Sequence, residues 1–164
     1  MKILGIDPGI ALVGYGVIQF EGSKLTPLEY GCIETLAHCP LPDRLGIIYD
    51  ELNALIDHYQ PDQMAFEELF YFRNQKTVIP VAQARGVEVL CGRRHGLPLY
   101  EFTPPQIKLA ITGYGRANKL QIQRSVQKLL QLDLLPKPDD AADGLAVAIT
   151  LAFSQRFREQ YRME

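Results

Sequence analysis

The run Ile3-Leu4-Gly5-Ile6 reads as a strand buried on both faces, and it passes without a spacer into Asp7-Pro8-Gly9. A strand of that kind asks for a sheet covered by helices, which narrows the chain to an α/β arrangement. Pro8 and Gly9 break it at once. The Asp7 carboxylate is therefore left at the carboxyl edge of a central strand, where open α/β sheets place their ligands. Asp before Pro-Gly is also common in plain turns, so Asp7 gains weight only if other acids reach the same edge.

The elements that follow decide which acids can. Residues 15–20 read as a second strand and 24–34 as a third, joined by turns short enough only for antiparallel neighbours, which makes a meander. Pro40-Leu41-Pro42 ends the sheet segment, and Asp43 is placed to cap a helix whose Leu45, Ile48, Leu52, Leu55, Ile56 and Tyr59 keep three-and-four spacing. Residues 63–66 form a short strand that ends on Glu67 and Glu68. Strand, helix, strand implies a parallel partner beside the first strand, and parallel neighbours finish at one edge. Asp7 and one of the two glutamates are thus expected to converge. Alternation alone leaves open which one.

Beyond the aromatic and basic loop Phe70-Tyr71-Phe72-Arg73-Asn74-Gln75-Lys76, residues 77–94 read as a helix with Val78, Val81, Ala82, Val89 and Leu90 inward and Gly86 allowing close contact with the sheet. A fifth strand is expected at 97–102, then a short helix capped by Thr103 with Pro104 at its first position. A glycine-hinged basic loop, 112–119, leads into a helix over 119–130, and a last, alanine-rich helix begins near Asp139, which is placed to cap it. The 164 residues suit one domain, 1–164, an α/β fold with a mixed five-stranded sheet flanked by helices, and suffice to bury ~70% of the unfolded surface.

Cys32, Cys39 and Cys91 form no CxxC and keep no ligand-like spacing with His38, His58 and His95, which argues against zinc and for reduced, structural thiols. With no apolar stretch near ~18 residues and an early acid at Asp7, a cytoplasmic, membrane-free protein is expected. The net charge of −2 conceals a strong segregation: +8 over residues 71–138, between −8 over 1–70 and −2 over 139–164. An anionic partner for one surface and a cation for another would explain it, although solvated basic helix faces would also contribute.

Asp140 and Asp143, spaced i, i+3, share one helical face among Ala and Gly. Asp139 and Asp140 could serve merely to favour a helix N-terminus, but Asp143, one turn into an apolar helix, has no such use. Four carboxylates gathered without organised His or Cys suit Mg²⁺ or Mn²⁺. Two such ions ~4 Å apart can clamp the attacking water and the leaving oxygen of a phosphodiester.

Taken together, Gly5-Ile6-Asp7-Pro8-Gly9 with Gly14-Tyr15-Gly16-Val17, Phe66-Glu67, Gln83-Ala84-Arg85-Gly86-Val87 and Asp140-Ala141-Ala142-Asp143-Gly144-Leu145-Ala146 closely resemble the RuvC family of bacterial Holliday-junction resolvases over nearly the full length. The resemblance implies a ribonuclease-H-like fold and a four-acid catalytic and metal site at Asp7, Glu67, Asp140 and Asp143. It also implies Mg²⁺ dependence and DNA contacts through Lys108, Lys119 and Phe70. A homodimer cutting the two continuous strands of a four-way DNA junction, and hand-over from the RuvA–RuvB branch-migration complex, belong to the same implication. Its loop departs from the family in carrying three consecutive aromatics, Phe70-Tyr71-Phe72. Rival readings are a related nuclease acting on RNA or RNA–DNA hybrid, a nucleotide-binding ATPase whose opening strand also carries Gly-Ile-Asp, and a junction-binding protein without catalysis. The ATPase would need two such domains, and phosphate binding alone gains nothing from four acids.

Overall fold

The fold, obtained as a computed structural model, is described for residues 1–69 and 75–163. Phe70, Tyr71 and Phe72 lie outside the described residues. The elements are β1 (Lys2–Asp7), β2 (Leu12–Glu21), β3 (Lys24–Glu34), α1 (Leu41–Tyr59), β4 (Gln63–Glu67), α2 (Gln75–Arg94), β5 (Leu99–Phe102), α3 (Pro104–Thr112), α4 (Lys119–Leu129), α5 (Asp139–Phe153) and a closing 3₁₀ turn, Arg158–Tyr161. The five strands form one mixed sheet in the order β3-β2-β1-β4-β5, with β1 antiparallel to β2 and parallel to β4. That is the expected meander followed by two parallel additions, and it leaves β1 in the centre.

Because side chains alternate along a strand, each strand sends its residues into two separate cores. Leu4, Ile6, Met64 and Phe66 pack with Ile48, Leu52 and Ile56 of α1 and with Ala84 and Cys91 of α2. Ile3, Ala65, Tyr100 and Phe102 pack on the opposite face with α3, α4 and α5. The approach of α5 to the sheet is set by missing side chains. Gly5 lies opposite Gly16, and Asp7 opposite Gly14, in the β1–β2 register. A Cβ on Gly14 would stand 1.9 Å from the Asp140 carbonyl oxygen, one on Gly5 2.3 Å from the Gly144 carbonyl oxygen, and one on Gly144 2.6 Å from the backbone of Tyr15. Backbone therefore meets backbone, and the first turns of α5 are drawn down to the end of β1.

Several boundaries and phases differ from expectation. β2 starts at Leu12 because the glycines that hide its strand signal are the ones that pair with β1 and admit α5. Asp43 does not cap α1: Pro40 is the cap residue, the helix opens on Leu41-Pro42, and Asp43 sits in its first turn, where an acid favours the helix dipole. Asp139 likewise does not cap α5, whose cap residue is Pro138; it is the first helical residue, and its carboxylate is engaged elsewhere. The inward face of α2 carries Ala84, Glu88 and Cys91, while Ala82 and Leu90 are exposed. Apolar residues lie all round this helix, so their spacing does not fix its phase. Nor does Gly86 touch the sheet: the close glycine is Gly92, whose added Cβ would meet Met64 Sδ at 2.7 Å. Thr103 caps α3 and Asn118 caps α4, each in a reciprocal capping box with the glutamine three residues on.

Candidate active site

Asp7 ends β1 and Glu67 ends β4, and since these strands are parallel and in register, Ile6 beside Phe66, the two carboxylates emerge at one edge. Ile6 and Phe66 face α1 and α2, so alternation turns Asp7 and Glu67 toward α5. There they share a cavity of about 230 Å³ with Asp143, Lys108 and Lys119, whose lining also includes the apolar Ile107 and Ile122. Glu68 follows the strand and is not on the cavity wall; its amide donates to the Phe102 carbonyl. The choice between the two glutamates that spacing left open is thus made by the β1–β4 register.

Asp140 is off the cavity wall as well, half-buried over Gly14, yet close enough to act on the charges of Asp7, Asp143 and the Cys32 thiol. Lys119 stands among these acids, its Nζ 3.6 Å from Asp143 Oδ2 and 3.4 Å from Asp139 Oδ2. The other Asp139 oxygen accepts a hydrogen bond from Gln123 Nε2 at 2.5 Å, so Asp139 serves as a tether for Lys119 and α4. Among the described residues, no three His, Cys, Asp or Glu side chains converge on a common ion position as they stand.

The electrostatics show what the cavity lacks. Burial, and then Glu67, Asp143 and Asp140, push the Asp7 carboxyl well above the usual carboxylate range. Burial and then Asp143 carry Glu67 up to about 7, against the lowering influence of Lys108 and Lys119. Asp143 is raised as well, again first by burial, although Lys119 opposes it. Burial works against the Lys119 charge, but Asp143, Asp139 and Asp140 outweigh it and hold its pKa above normal. Two lysines therefore do not neutralise the cluster. A buried Glu67 raised to about 7 between Asp7 and Asp143, both raised by burial and by neighbouring acids, with only hard oxygen donors and an opening to solvent, fits a divalent cation of the magnesium type.

Residues without any sequence signal hold the site in place. The turn after Asp7 is fixed from outside by Thr35 and Arg44: the Thr35 hydroxyl donates to the Ile10 carbonyl, Arg44 Nη2 donates to the same oxygen at 3.0 Å, and Arg44 Nε donates to Thr35 Oγ1 at 2.8 Å. On the α2 side lies Glu88, 0% exposed, with neither carboxylate oxygen in hydrogen-bond geometry with a partner among the described residues. Burial pushes its carboxyl up to about 8, while Arg85 and the nearby Gly9 amide favour the charged form. A carboxyl raised on folding takes up a proton that the unfolded chain has lost. Glu88 therefore lowers stability as pH climbs from its unfolded value near 4.5 to about 8, by up to ~1.4 kcal/mol per pH unit. Thermal melts between pH 5 and 9 are expected to show a shallower alkaline decline in Glu88→Gln than in the parent, and identical slopes would contradict this placement of Glu88.

With this geometry in view, likeness to known proteins becomes informative. A family model described as Crossover junction endodeoxyribonuclease RuvC matches residues 3–151. The chain belongs to the RuvC family. A relative named Crossover junction endodeoxyribonuclease RuvC from Finegoldia magna is 54% identical over 158 residues, covering 96% of each chain. One of the same name from Desulfitobacterium hafniense is 54% identical over 154 residues, 94% of this chain and 93% of that one. The structure of T. thermophilus RuvC in complex with Holliday junction substrate superposes with a TM-score of 0.93 at 32% identity, over 99% of both chains. The ribonuclease-H-like fold expected from the resemblance is therefore the fold observed. No helix among the described residues is long and apolar enough to cross a membrane.

Proposed function

We propose that this chain is a Holliday-junction resolvase, a metal-dependent endonuclease that cuts two strands of a four-way DNA junction in recombination and repair. The observation that carries this reading is the three under-neutralised carboxylates Asp7, Glu67 and Asp143 in one cavity edged by Lys108 and Lys119. Asp7, Glu67 and Asp143, with Asp140 beside them, would hold two divalent ions, Mg²⁺ or in substitution Mn²⁺. Bound there, such ions supply an activated water and neutralise charge on the leaving oxygen. Lys108 and Lys119 draw the scissile phosphate to the cavity mouth, and Lys119 exchanges its carboxylate partners for phosphate as the strand arrives. The apolar wall of Ile107 and Ile122 limits bulk water beneath the phosphate.

Paired cutting calls for two sites, and a homodimer provides them. The outer face of α2 supports that part of the reading: Ile79 is 68% and Leu90 52% exposed, and a Cβ added to Gly86 between them meets nothing within 4 Å among the described residues, so a second copy could approach closely. The stacking role given to Phe70 and the hand-over from RuvA–RuvB in the cytoplasm rest on the family resemblance.

The test is a gel assay with Mg²⁺ on a four-way junction, a linear duplex and an RNA–DNA hybrid. Symmetric nicks in the junction alone are expected; cleavage of the hybrid instead would move the chain to the RNA-directed reading. Lys108→Ala and Lys119→Ala are expected to weaken junction binding and make its salt dependence shallower, by roughly one unit of log–log slope for each phosphate no longer engaged. Unchanged affinity and slope in both would place these lysines away from the DNA.

A further inference from the structure

From residue 102 to residue 132 the chain has no acidic side chain, and it carries five cations, Lys108, Arg116, Lys119, Arg124 and Lys128. The turn between α3 and α4 lies in the middle of this stretch and displays Tyr114, 58% exposed, between the exposed Leu109 and Leu120. An aromatic ring so placed contributes nothing to either core. Its backbone is nevertheless held on several sides. Gly113 ends α3 in the left-handed region, at φ 73°, and its amide donates to the Leu109 carbonyl at 2.8 Å. The Thr112 hydroxyl accepts the Tyr114 amide at 3.1 Å and has the carbonyls of Lys108 and Tyr114 as acceptors at 2.7 and 3.0 Å. The Ala117 amide donates to the Tyr114 carbonyl at 3.1 Å, and Ala117 itself is buried. Gly115 approaches the Pro105 carbonyl, so the turn folds back on α3, whose Ile107 and Lys108 line the cavity.

We infer that Tyr114 and Arg116 form a clamp for the sugar–phosphate backbone of the DNA strand entering the cavity, the Tyr114 ring lying on a deoxyribose and the Arg116 guanidinium on an adjacent phosphate. An exposed ring two residues from an exposed guanidinium matches the neighbouring sugar and phosphate of a nucleic-acid strand, and a turn with no acidic side chain of its own offers a basic protein partner no carboxylate. A rigid ring adds contact area with little loss of side-chain freedom. The contact reads no base, so it positions the strand without choosing a sequence. The inference rests on the junction-resolvase reading and adds to it the residues that guide the strand past Lys108 and Lys119.

The experiment is junction binding and single-turnover cleavage by parent, Tyr114→Ala, Tyr114→Phe and Arg116→Ala. Tyr114→Ala is expected to bind roughly 5- to 10-fold more weakly with an unchanged salt slope, since no charge is removed, and Tyr114→Phe to recover most of that deficit. Arg116→Ala is expected to lower the slope by about one unit. Because the chain contains no tryptophan, Tyr114→Trp supplies a single indole that can be excited apart from the tyrosines, and its emission is expected to shift to shorter wavelength when stoichiometric junction in EDTA covers it. This readout decides the matter even if Tyr114→Ala proves unstable. Parent-like affinity in Tyr114→Ala, or tryptophan emission indifferent to DNA, overturns the clamp. A parent protein that fails to cut junctions at all overturns the underlying reading instead, so the two failures are distinguishable.

Discussion

Asp7→Asn is expected to leave a folded protein that binds junctions at least as well as the parent and cuts them slower by roughly three orders of magnitude or more, beyond the 10–100-fold that loss of a group merely supporting a metal ligand costs. The signs separate function from structure. The parent Asp7 carboxyl is raised by burial and by Glu67, Asp143 and Asp140, so its ionisation costs stability as pH rises through the folded value. Asparagine removes that cost, and without metal the variant is expected to melt at or above the parent temperature at pH 8. Added Mg²⁺ is expected to raise the parent melting temperature and hardly that of the variant, because an ion that binds only the folded state stabilises it. That stabilisation grows from pH 6 to pH 8 in the parent, since cation binding must displace the proton that Glu67 holds up to about 7. Melting curves over this grid, with Asp139→Asn as an acid outside the ligand set, would show a structural role for Asp7 as reduced stability and reduced binding together. Glu67→Gln, Asp140→Asn and Asp143→Asn are expected to lose cleavage in the same way.

Gly14→Ala carries the second large effect, although Gly14 holds no chemistry. Its added methyl would stand 1.9 Å from the Asp140 carbonyl oxygen and 2.5 Å from the carbonyl carbon, backbone atoms that can yield only if α5 lifts. Overpacking of this kind costs ~1–3 kcal/mol, and about 2–4 °C of melting temperature per kcal/mol in a chain of this size. Cleavage is expected to fall further than stability, by roughly 10²-fold, because lifting α5 draws Asp140 and Asp143 away from Asp7, and misplacement by about an ångström has that consequence. Gly46→Ala is the comparison: Gly46 lies inside α1 and the added methyl meets nothing within 4 Å among the described residues, so stability there is expected to rise by up to ~1 kcal/mol. If Gly14→Ala cut junctions at the parent rate, the close seating of α5 would not be what assembles the site.

Much of this was readable from residue order because the relevant signals are local. An apolar run interrupted by Asp7-Pro8-Gly9 marks both a central strand and an acid at its end, and Thr103-Pro104 states where a helix begins. The i, i+3 spacing of Asp140 and Asp143 puts two acids on one face wherever that helix packs. Helix phase was not readable for α2, since residues of similar hydropathy surround it and only the fit of Gly92 against Met64 and Leu99 selects Ala84, Glu88 and Cys91 as the inner face. The caps assigned to Asp43 and Asp139 failed because Pro40 and Pro138 begin those helices earlier than the acids suggest.

The sequence by itself determined the mixed α/β plan, the strand ends at Asp7 and at the Glu67-Glu68 pair and the basic character of residues 71–138, since strand alternation, helix spacing and charge are properties of neighbours along the chain. Spacing left Glu67 and Glu68 undecided, the family resemblance chose Glu67, and the tertiary structure places Glu67 in the cavity; it alone decided that Asp139 ties down Lys119, that Asp140 sits beside the cavity wall, and that Glu88 is buried near the turn after Asp7. Each of these depends on a register or on a close approach between elements far apart in sequence. Such distances are set by which side chains are absent, Gly5, Gly14, Gly16 and Gly144 above all, and a missing side chain reveals its purpose only when the backbone it admits is in place.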